Sequence, residues 1–343
     1  MRIALDATYS VDPRPTGIGV YSNALLIGLA DRYPEDDFLH CLRPKQFFRA
    51  VRDARRNVRR RLLQPPIPTF GAQLFHALNQ RVDKRPAKKV VSTFHDLFVM
   101  TEEYSSPEFR ARFTQQARQA AQNSDLIIAV SQFTAGQVTS LLGFDVSRIR
   151  VIPHGVSPPS SELQRKREKI ILSVGALQVR KNALRLVEAF ERAPGDWQLI
   201  FAGAQTGYQA AAILERIRNS DCSARIKIIG YAWPAELQTL YSRASIFAFP
   251  SLDEGFGIPV LEAMAHSVPV IASKRPALVE VAADAALFVD PQSTEDLQNA
   301  LERMISDPDL REEYARRGRE RAKLYPWARA ITATHEVYKE LLG

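Results

Sequence analysis

Two glutamates, Glu254 and Glu262, lie eight residues apart in the segment PSLDEGFGIPVLEAMA at 250–265, which follows a short apolar stretch. The apolar stretch predicts a buried strand, so the segment should leave a parallel sheet at a carboxyl end, where open α/β sheets bind ligands. Gly255 and Gly257 let the backbone approach a ligand. The two carboxylates could then accept hydrogen bonds from a sugar and a ribose. Alternatively, Glu254 is a solvated loop residue and Glu262 complements a helix dipole.

Two adjacent cations, Arg180 and Lys181, occupy a similar place earlier in the second half of the chain. They follow a predicted strand at 170–174 and precede a helical pattern at 183–190. Positive charge at this point could neutralise the charge that builds up on a diphosphate leaving group. A merely solvated basic pair is the less favoured interpretation, because cations oppose the macrodipole at a helix start unless an anion binds there.

A histidine and an aspartate, His95 and Asp96, end the predicted strand at 89–94. Neighbouring strand residues point to opposite faces of a sheet, so the two are not expected to form a proton relay. A single histidine at a strand end is more often structural than catalytic. Ser131 follows another predicted strand and begins a helical run, where capping of the helix is a sufficient explanation.

Gly17 and Gly19 form a Gly-x-Gly pair, a pattern that can mark a dinucleotide site. Residues 7–16 separate this pair from the first predicted strand, whereas a dinucleotide fingerprint follows its strand in a tight turn. The third glycine position is occupied by Ser22. A nicotinamide-dependent enzyme is therefore disfavoured.

Apolar, β-rich stretches alternate with helical patterns along the whole chain, which is typical of parallel sheets built from βαβ units. The 343 residues exceed what a single hydrophobic core usually serves. A segment rich in proline and serine at 153–161 indicates a hinge between two domains, with the boundary near residue 158. The twelve predicted strands are 2–6, 38–42, 73–76, 89–94, 125–130, 150–152, 170–174, 198–202, 225–229, 246–249, 268–272 and 286–289.

Together these segments resemble the family 4, or group 1, retaining glycosyltransferases of the GT-B fold. The resemblance rests on the Glu-x7-Glu segment and, in family order, on GIGVY at 17–21, FHD at 94–96, VSQFT at 130–134, VIPHGV at 151–156, SVG at 173–175, RKN at 180–182 and EV at 280–281. It implies an α/β fold of two Rossmann-like parallel-sheet domains facing across a cleft. Residues 1–157 would form the acceptor-side domain and 158–326 the donor domain, with a final helix at 327–343 returning to the first domain.

The resemblance also implies roles for individual residues. In the family pattern, His95 contacts the transferred sugar, Asp96 lies closer to the acceptor, and the leaving phosphate takes the acceptor proton. The implied catalytic residues are His95, Asp96, Arg180, Lys181 and Glu254. The implied donor-binding residues are Gly17, Gly19, Arg180, Lys181, Glu254, Gly255, Phe256, Gly257, Ile258 and Glu262.

The implied reaction moves a hexose or deoxyhexose, of mannose or rhamnose type, from a nucleotide diphosphate sugar to a glycan or lipid-linked acceptor of a surface polysaccharide, with retention at the anomeric carbon. No metal and no cofactor is expected besides the nucleotide sugar as co-substrate. Asp307 and Asp309 form an Asp-x-Asp motif, but helix capping explains both. Other interpretations are a sugar-nucleotide epimerase or phosphorylase on the same fold, and a non-catalytic basic protein that binds membranes or nucleic acid.

Three positions depart from the family pattern. Ser267 stands where glycine is usual after the Glu-x7-Glu helix, and Ala282 or Ala283 stands at another position that is often glycine. His154 replaces the commoner asparagine in the hinge. These departures affect helix ends and the hinge, and they remove no proposed catalytic group.

The formal net charge of +8 is concentrated in residues 43–61, which hold nine basic side chains and one acidic side chain. Apolar residues recur every three or four positions within 43–63, which predicts an amphipathic basic helix. Its arginines could simply be solvated, or they could dock on anionic lipid; nucleic-acid binding is not expected, because no nucleic-acid motif accompanies them. The candidate acceptor-side or membrane residues are Ser131, Arg52, Arg55, Arg56, Arg59 and Arg60.

Cysteine spacing and hydropathy exclude some further classes. Cys41 and Cys222 are far apart and lack the spacing of a zinc site or a disulfide framework. The chain begins without a secretory signal pattern, and no apolar stretch approaches the roughly 20 residues that span a bilayer. We therefore expect a cytoplasmic protein, attached peripherally to the inner face of the membrane if the basic segment binds lipid.

Overall fold

The computed structural model describes residues 1–50, 53–63, 71–159 and 166–343, and the chain divides into two compact units. Unit 1 consists of Met1–Glu102, Pro107–Gly155 and Trp327–Gly343. Unit 2 consists of Glu103–Ser106 and Val156–Pro326.

Unit 1 contains a seven-stranded sheet in which every neighbouring pair is parallel. Its strands are β1 (Arg2–Asp6), β2 (Asp37–Leu42), β3 (Val58–Leu62), β4 (Leu74–Ala77), β5 (Lys89–Phe94), β6 (Leu126–Ala129) and β7 (Ile149–Val151). Their order across the sheet is β3-β2-β1-β4-β5-β6-β7. Successive side chains of β1 pack into opposite layers, since Ile3 and Leu5 belong to one apolar cluster and Ala4 to another.

Unit 2 contains a six-stranded sheet that is also entirely parallel. Its strands are β8 (Glu168–Val174), β9 (Gln198–Ala202), β10 (Ile226–Ile228), β11 (Ala244–Phe249), β12 (Val270–Ser273) and β13 (Ala286–Val289), in the order β10-β9-β8-β11-β12-β13. Each of the twelve predicted strands coincides with an observed strand to within two residues at either end. These strands could be predicted from continuous apolar runs in the sequence, because strands that are covered on both faces are apolar throughout.

Helices connect the strands in both units. They are α1 (Gly17–Arg32), α2 (Pro44–Phe47), α3 (Phe98–Thr101), α4 (Pro107–Asn123), α5 (Gln132–Leu142), α6 (Ala183–Phe190), α7 (Ala210–Arg218), α8 (Pro234–Arg243), α9 (Ile258–Ala265), α10 (Pro276–Ala282), α11 (Thr294–Ser306), α12 (Pro308–Ala322) and α13 (Trp327–Leu342). The alternation of strand and helix is the βαβ arrangement that the sequence pattern indicates.

The C-terminal helix α13 belongs to unit 1 and packs along α1. Ile331 fills the space beside Gly28, where a Cβ would lie only 2.1 Å from the Ile331 Cδ1 atom. Near the end of α13, the Tyr338 hydroxyl lies 2.6 Å from Nδ1 of His76 in β4. The last helix is therefore tied to the sheet of unit 1 by apolar packing and by a buried hydrogen bond.

The prediction of a basic helix at 43–63 was wrong. Pro44–Phe47 forms a short helical turn, but Val58–Leu62 forms β3, which pairs in parallel with β2. Pairing with a buried strand satisfies backbone hydrogen bonds along β3, and this outweighs the helical spacing of the apolar side chains. Val51 and Arg52 of this segment lie outside the described residues.

The arginines of β3 lie on the outermost described strand of the sheet. An exposed edge presents unpaired backbone groups on which another chain could pair, and charged side chains oppose such pairing. Arg59, Arg60 and Arg61 fit this protective role without any ligand. Part of the basic segment therefore has a structural explanation.

Candidate active site

The two ligand-binding segments predicted from the sequence leave neighbouring strands of unit 2. β8 ends at Val174 and leads to a short 3-10 turn, Val179–Lys181, whereas β11 ends at Phe249 and leads through the loop at 250–257 into α9. β8 and β11 pair directly and in parallel. Their carboxyl ends therefore meet at one edge of the sheet.

Arg180, Lys181 and Glu254 converge at this edge. One oxygen of Glu254, Oε1, lies 2.6 Å from Lys181 Nζ and 2.8 Å from Arg180 Nη1. Arg180 Nη1 also donates to the backbone carbonyl of Asp253 at 2.6 Å. The three side chains are only 10–16% exposed, so water screens their interaction weakly. Glu254 is thus no solvated loop residue.

The charges of this cluster shift the pKa values of both acids in it. Burial alone would raise the pKa of Glu254, but the charges and hydrogen bonds of Arg180 and Lys181 outweigh burial and lower it to about 2. For Asp253, burial dominates and the negative charge of Glu254 adds to it, so that the pKa rises to about 6. Glu254 is therefore ionised at neutral pH and leaves the Arg180–Lys181 pair with one net positive charge.

Asn182 holds the two loops together, a role that the sequence reasoning missed. Its backbone is left-handed, with φ of 58°, and its side-chain amide donates to the carbonyls of Pro250 (3.0 Å) and Pro291 (2.8 Å). The amide of Leu252 donates to the Arg180 carbonyl at 2.8 Å. Asparagine tolerates left-handed backbone better than most residues, so its place at the end of the Arg-Lys-Asn block was an available signal.

The Lys181 side chain is guided by two residues that were not predicted as site residues. A Cβ at Gly175, where φ is 145°, would lie 2.9 Å from Lys181 Cε. The Lys181 ammonium lies 4.4 Å from the centre of the Phe249 ring, within range of a cation–π interaction. The Lys181 side chain is therefore packed closely against Gly175, which follows β8, and against Phe249, which ends β11.

Helix α9 begins at Ile258, directly after Gly257 at φ of 103°. The left-handed backbone favours glycine at 257, and a Cβ there would also displace the Leu278 side chain, whose Cδ2 would lie 2.5 Å away. The first backbone N–H groups of α9 have no hydrogen-bond partners within the helix and are directed away from its N-terminal end.

The Phe256 ring is buried and packs edge-on against Tyr325, with ring centres 6.1 Å apart.

Glu262 lies in the second turn of α9, where its Oε2 accepts a hydrogen bond from the Tyr241 hydroxyl at 2.9 Å. Burial raises the pKa of Glu262, and the bond from Tyr241 opposes this. Tyr241 is itself fully buried. The tyrosine holds the carboxylate in place, and sequence spacing gave no sign of this partner from α8.

In unit 1, Gly17 and Gly19 form the first turn of α1 rather than a loop, with Thr16 before the helix. A Cβ at Gly19 would lie 2.9 Å from the Pro15 side chain and 3.1 Å from the Tyr9 carbonyl. Glycine at 19 thus lets the preceding segment fold back on the helix start. The backbone N–H groups near the Gly-x-Gly pair are therefore those of the first turn of a helix, which lack partners within the helix, and not those of a loop.

His95 is buried at the end of β5, and both of its ring nitrogens have partners within unit 1. Nε2 lies 2.9 Å from the Leu78 carbonyl and Nδ1 lies 3.3 Å from Nε2 of His154. Burial lowers the pKa of His95 to about 4, and the bond to Leu78 opposes this only partly. His95 is therefore neutral at physiological pH, and Asp96 is the next residue along the chain.

Ser131 has the capping role that its position predicts. Its hydroxyl accepts a hydrogen bond from the Thr134 backbone N–H at 3.0 Å at the start of α5. The side chain is fully buried. Capping accounts for this serine, in agreement with the simpler of its two interpretations.

The remaining candidate arginines differ in their surroundings. Arg55 pairs with Asp31 and Asp53, and Arg60 donates to the Ala50 carbonyl. Arg56 and Arg59 are exposed. The basic segment thus contains both structural and exposed cations.

The described parts of the chain contain no group of three or more histidine, cysteine, aspartate or glutamate side chains arranged to hold a metal ion. Within the same parts, no helix combines the length and the apolar character that crossing a bilayer demands.

Two family models and a curated protein resemble this chain in sequence. A family model described as "Glycosyltransferase Family 4" matches residues 19–158, and one described as "Glycosyl transferases group 1" matches residues 159–321. "O-antigen chain mannosyltransferase B" of Escherichia coli is 28% identical over 303 residues, which cover 82% of this chain and 79% of that protein.

Solved structures give the same picture of the fold. Sucrose-phosphate synthase from Thermosynechococcus elongatus superposes with a TM-score of 0.81 at 22% identity, over 99% of both chains. Anabaena Alr3699/HepE, solved in complex with UDP and glucose, superposes with a TM-score of 0.73 at 18% identity, over 99% of this chain and 98% of that one. At such identities the likeness establishes the fold, and chemistry must be argued from the residues.

Proposed function

This chain belongs to the family 4, group 1 glycosyltransferases of the GT-B fold, and on that premise we propose that it transfers a mannose- or rhamnose-type sugar from a nucleoside diphosphate to a glycan or lipid-linked acceptor in surface polysaccharide synthesis. We further propose that transfer retains the anomeric configuration and needs no metal ion. The observation that carries the proposal is the convergence of Arg180 and Lys181 on one buried carboxylate oxygen of Glu254. A sugar-nucleotide epimerase or phosphorylase is not supported by either family model.

The cation pair suits a diphosphate leaving group. As the bond between the anomeric carbon and the phosphate oxygen breaks, negative charge grows on the diphosphate. Arg180 and Lys181 are held in advance by Glu254, so they stabilise this charge without reorganising. The N–H groups at the start of α9 offer further donors to the same anion. Glu262, held by Tyr241, would accept hydrogen bonds from the ribose hydroxyls.

Proton transfer in this scheme uses no histidine base. The acceptor hydroxyl gives its proton to the leaving phosphate oxygen while the new glycosidic bond forms on the same face. His95 is neutral, and both of its ring nitrogens are engaged with Leu78 and His154. It would therefore shape the sugar site rather than remove a proton.

The donor is the first property to test. The mannosyltransferase from Escherichia coli suggests a mannose donor, whereas the Anabaena structure holds UDP and glucose. Purified protein would be titrated with GDP, UDP, dTDP and ADP and with their sugar conjugates while the melting temperature is followed. A ligand of the native state raises the melting temperature by mass action.

We expect one nucleotide to raise the melting temperature, and Lys181→Met and Glu262→Gln to reduce the rise. Lys323→Met is the matched control, because Lys323 is an exposed lysine paired with Glu320 on the surface. If no nucleotide shifts the wild type at millimolar concentration, or if the control loses the shift equally, the proposed donor site is wrong. NMR of the product formed with the identified donor would test retention at the anomeric carbon.

We also propose that unit 1 binds an anionic membrane surface through the exposed part of the basic segment. Phe48 is 85% exposed, and Lys45, Arg49, Arg56 and Arg59 are exposed as well. An exposed apolar ring in the same segment as several exposed cations suits the boundary between lipid headgroups and acyl chains, and each cation near an anionic surface contributes about 1 kcal/mol. Such a surface would bring a lipid-linked acceptor to the enzyme.

Co-sedimentation with vesicles, with and without anionic lipid, tests this second proposal. We expect binding that depends on anionic lipid and that falls in the combined variant Phe48→Ser, Arg56→Gln, Arg59→Gln. The control variant Arg218→Gln, Lys227→Gln removes the same charge from exposed positions in unit 2. Equal loss in both variants would mean a net-charge effect, and no loss in the first would show that this segment does not bind the membrane.

A further inference from the structure

His95 and His154 form a buried pair of imidazole rings within unit 1. The rings are 17° from parallel with their centres 5.2 Å apart, and Nδ1 of His95 lies 3.3 Å from Nε2 of His154. His95 is 7% exposed and His154 is 4% exposed.

The partners of His95 define where its proton lies. A backbone carbonyl only accepts hydrogen bonds, so Nε2 of His95, which faces the Leu78 carbonyl at 2.9 Å, must carry a hydrogen. Burial lowers the pKa of both histidines, and for His95 the value is about 4, so the rings are neutral. Nδ1 of His95 is then an acceptor, and Nε2 of His154 must donate to it.

Tyr21 holds the pair from the side. Its ring contacts the rings of His95 and His154 edge-on, with both centroid distances at 4.9 Å. The Tyr21 hydroxyl lies 2.8 Å from Oγ1 of Thr93, which lies 2.8 Å from Nε2 of His76. Tyr21 lies in the first turns of α1, so the start of this helix and the end of β5 are fixed against the same two rings.

We propose that His154 is a positioning residue that donates its Nε2–H to His95 and so holds the neutral His95 ring in one tautomer and one orientation at the carboxyl end of β5. The kinetic consequence of this inference rests on the proposed glycosyl transfer, whereas the tautomer does not. A ring fixed in this way presents a constant surface and leaves Asp96, the next residue, in a constant place. Loss of the donor from His154 leaves a buried acceptor unsatisfied, and the His95 ring is then held by hydrogen bonding only at Nε2, through the Leu78 carbonyl.

Two substitutions separate donation from packing. His154→Asn keeps an N–H donor, whereas His154→Leu keeps bulk and removes the donor. We expect His154→Asn to retain kcat within about threefold of the wild type and His154→Leu to lower it at least about tenfold, because misplaced reacting groups reduce the chemical step. Binding of the nucleotide diphosphate to unit 2 should be unchanged in both variants, which also reports that the protein is folded.

Nitrogen-15 NMR of the histidine rings provides a readout that does not depend on activity. The chain has six histidines, so the spectrum is sparse, and the signals that change in His154→Asn identify the pair. At pH 7 we expect His95 to carry its proton on Nε2 in the wild type and in His154→Asn, and its Nδ1 signal to lose the shift of a hydrogen-bonded acceptor in His154→Leu. A proton on Nδ1 of His95 in the wild type would overturn the inference.

Equal kcat in the Leu and Asn variants, with nucleotide binding intact, would also overturn the positioning role. If the wild type transfers no sugar, the proposed function fails while the NMR result still decides whether His154 donates to Nδ1 of His95. If the wild type transfers sugar and the tautomer is reversed, only the present inference fails.

Discussion

At the scale of single residues, Glu254 determines the electrostatics of the cluster that it forms with Arg180 and Lys181. It accepts from two cations through one oxygen, and both partners are nearly buried. Removing one partner of such a cluster leaves uncompensated buried charge, which costs more than the net worth of the interaction. The same carboxylate therefore stabilises unit 2 and holds in place the cations that the proposed reaction uses.

Glu254→Gln should reduce stability in a pH-dependent way. The folded pKa is about 2 against an ordinary value of 4.5, so the stabilisation by Glu254 is fully present above pH 4.5 and is lost as the pH falls towards 2. At about 1.4 kcal/mol for each unit of pKa, the variant should lose about 3 kcal/mol of unfolding free energy at pH 7. Urea unfolding of wild type and variant at several pH values measures the difference.

Glu215→Gln is the control for this prediction, because Glu215 is an exposed glutamate on α7. It should change the unfolding free energy by less than about 0.5 kcal/mol at any pH. A difference for Glu254→Gln that stays constant between pH 7 and pH 3 would contradict the ionic origin of its stabilisation. The lost stability would then come from packing around the side chain.

At the scale of elements, two helix ends carry side chains where the backbone favours glycine. Ser267, after α9, has φ of 56°, and Ala283, after α10, has φ of 49° with ψ of −124°. These are the positions at which the sequence departs from the glycines of the family. Ala283 is the more strained of the two, because its conformation is accessible mainly to glycine.

Ala283→Gly should therefore stabilise unit 2. Relief of the unfavourable backbone conformation should raise the free energy of unfolding by about 1–3 kcal/mol. The greater freedom of glycine in the unfolded chain should lower it by up to about 1 kcal/mol. We expect a net gain of about 1 kcal/mol, measured as a higher denaturation midpoint with an unchanged m-value. Ala282→Gly is the adjacent control: Ala282 is helical and fully buried, so this change should destabilise by about 1 kcal/mol. The same sign for both substitutions would refute the conformational explanation.

The edge strand β3 shows why local sequence periodicity can predict the wrong secondary structure. Its apolar residues fit a helical stripe when the segment is considered alone, yet Val58–Leu62 pairs with Phe38 through Leu42 of β2. A strand partner from elsewhere in the chain is invisible to local periodicity. Three consecutive arginines suit an outer strand, because charged side chains oppose pairing with another chain.

At the scale of the whole molecule, the last helix completes unit 1 although it follows unit 2 in the chain. Gly28 on α1 provides the groove for Ile331 on α13, and Gly155 provides room for the backbone of Trp327, whose Cα would lie 2.5 Å from a Cβ at 155. The chain therefore uses small residues where its distant segments meet. Unit 1 depends on segments from the two ends of the sequence.

A double-mutant cycle on Gly28 and Ile331 measures this dependence. Gly28→Ala should destabilise unit 1, because its Cβ would overlap the Ile331 side chain. Ile331→Ala should cost about 2–4 kcal/mol through the cavity it leaves. Together the two should cost at least about 1 kcal/mol less than their sum, since the new methyl group enters the space that Ile331 vacates.

Gly136→Ala serves as the reference substitution in α5, because within the described residues a Cβ at Gly136 would meet nothing within 4 Å apart from its chain neighbours and its own helix backbone. It should stabilise by up to about 1 kcal/mol through helix propensity alone. If the effects of Gly28→Ala and Ile331→Ala on the free energy of unfolding were additive, the two residues would not be in contact between α1 and α13.

The sequence by itself determined the strand and helix alternation, every described strand except β3, and the placement of Arg180, Lys181 and Glu254 at strand ends. Strands covered on both faces and loops at their carboxyl ends leave local signatures, so these features could be predicted. Only the tertiary structure decided that Glu254 pairs with both cations, that Tyr241 holds Glu262, that His154 meets His95 and that 58–62 is an edge strand. Each of these depends on a partner from a distant part of the chain, and the burial and charge contacts that set the pKa values exist only once those parts are packed together.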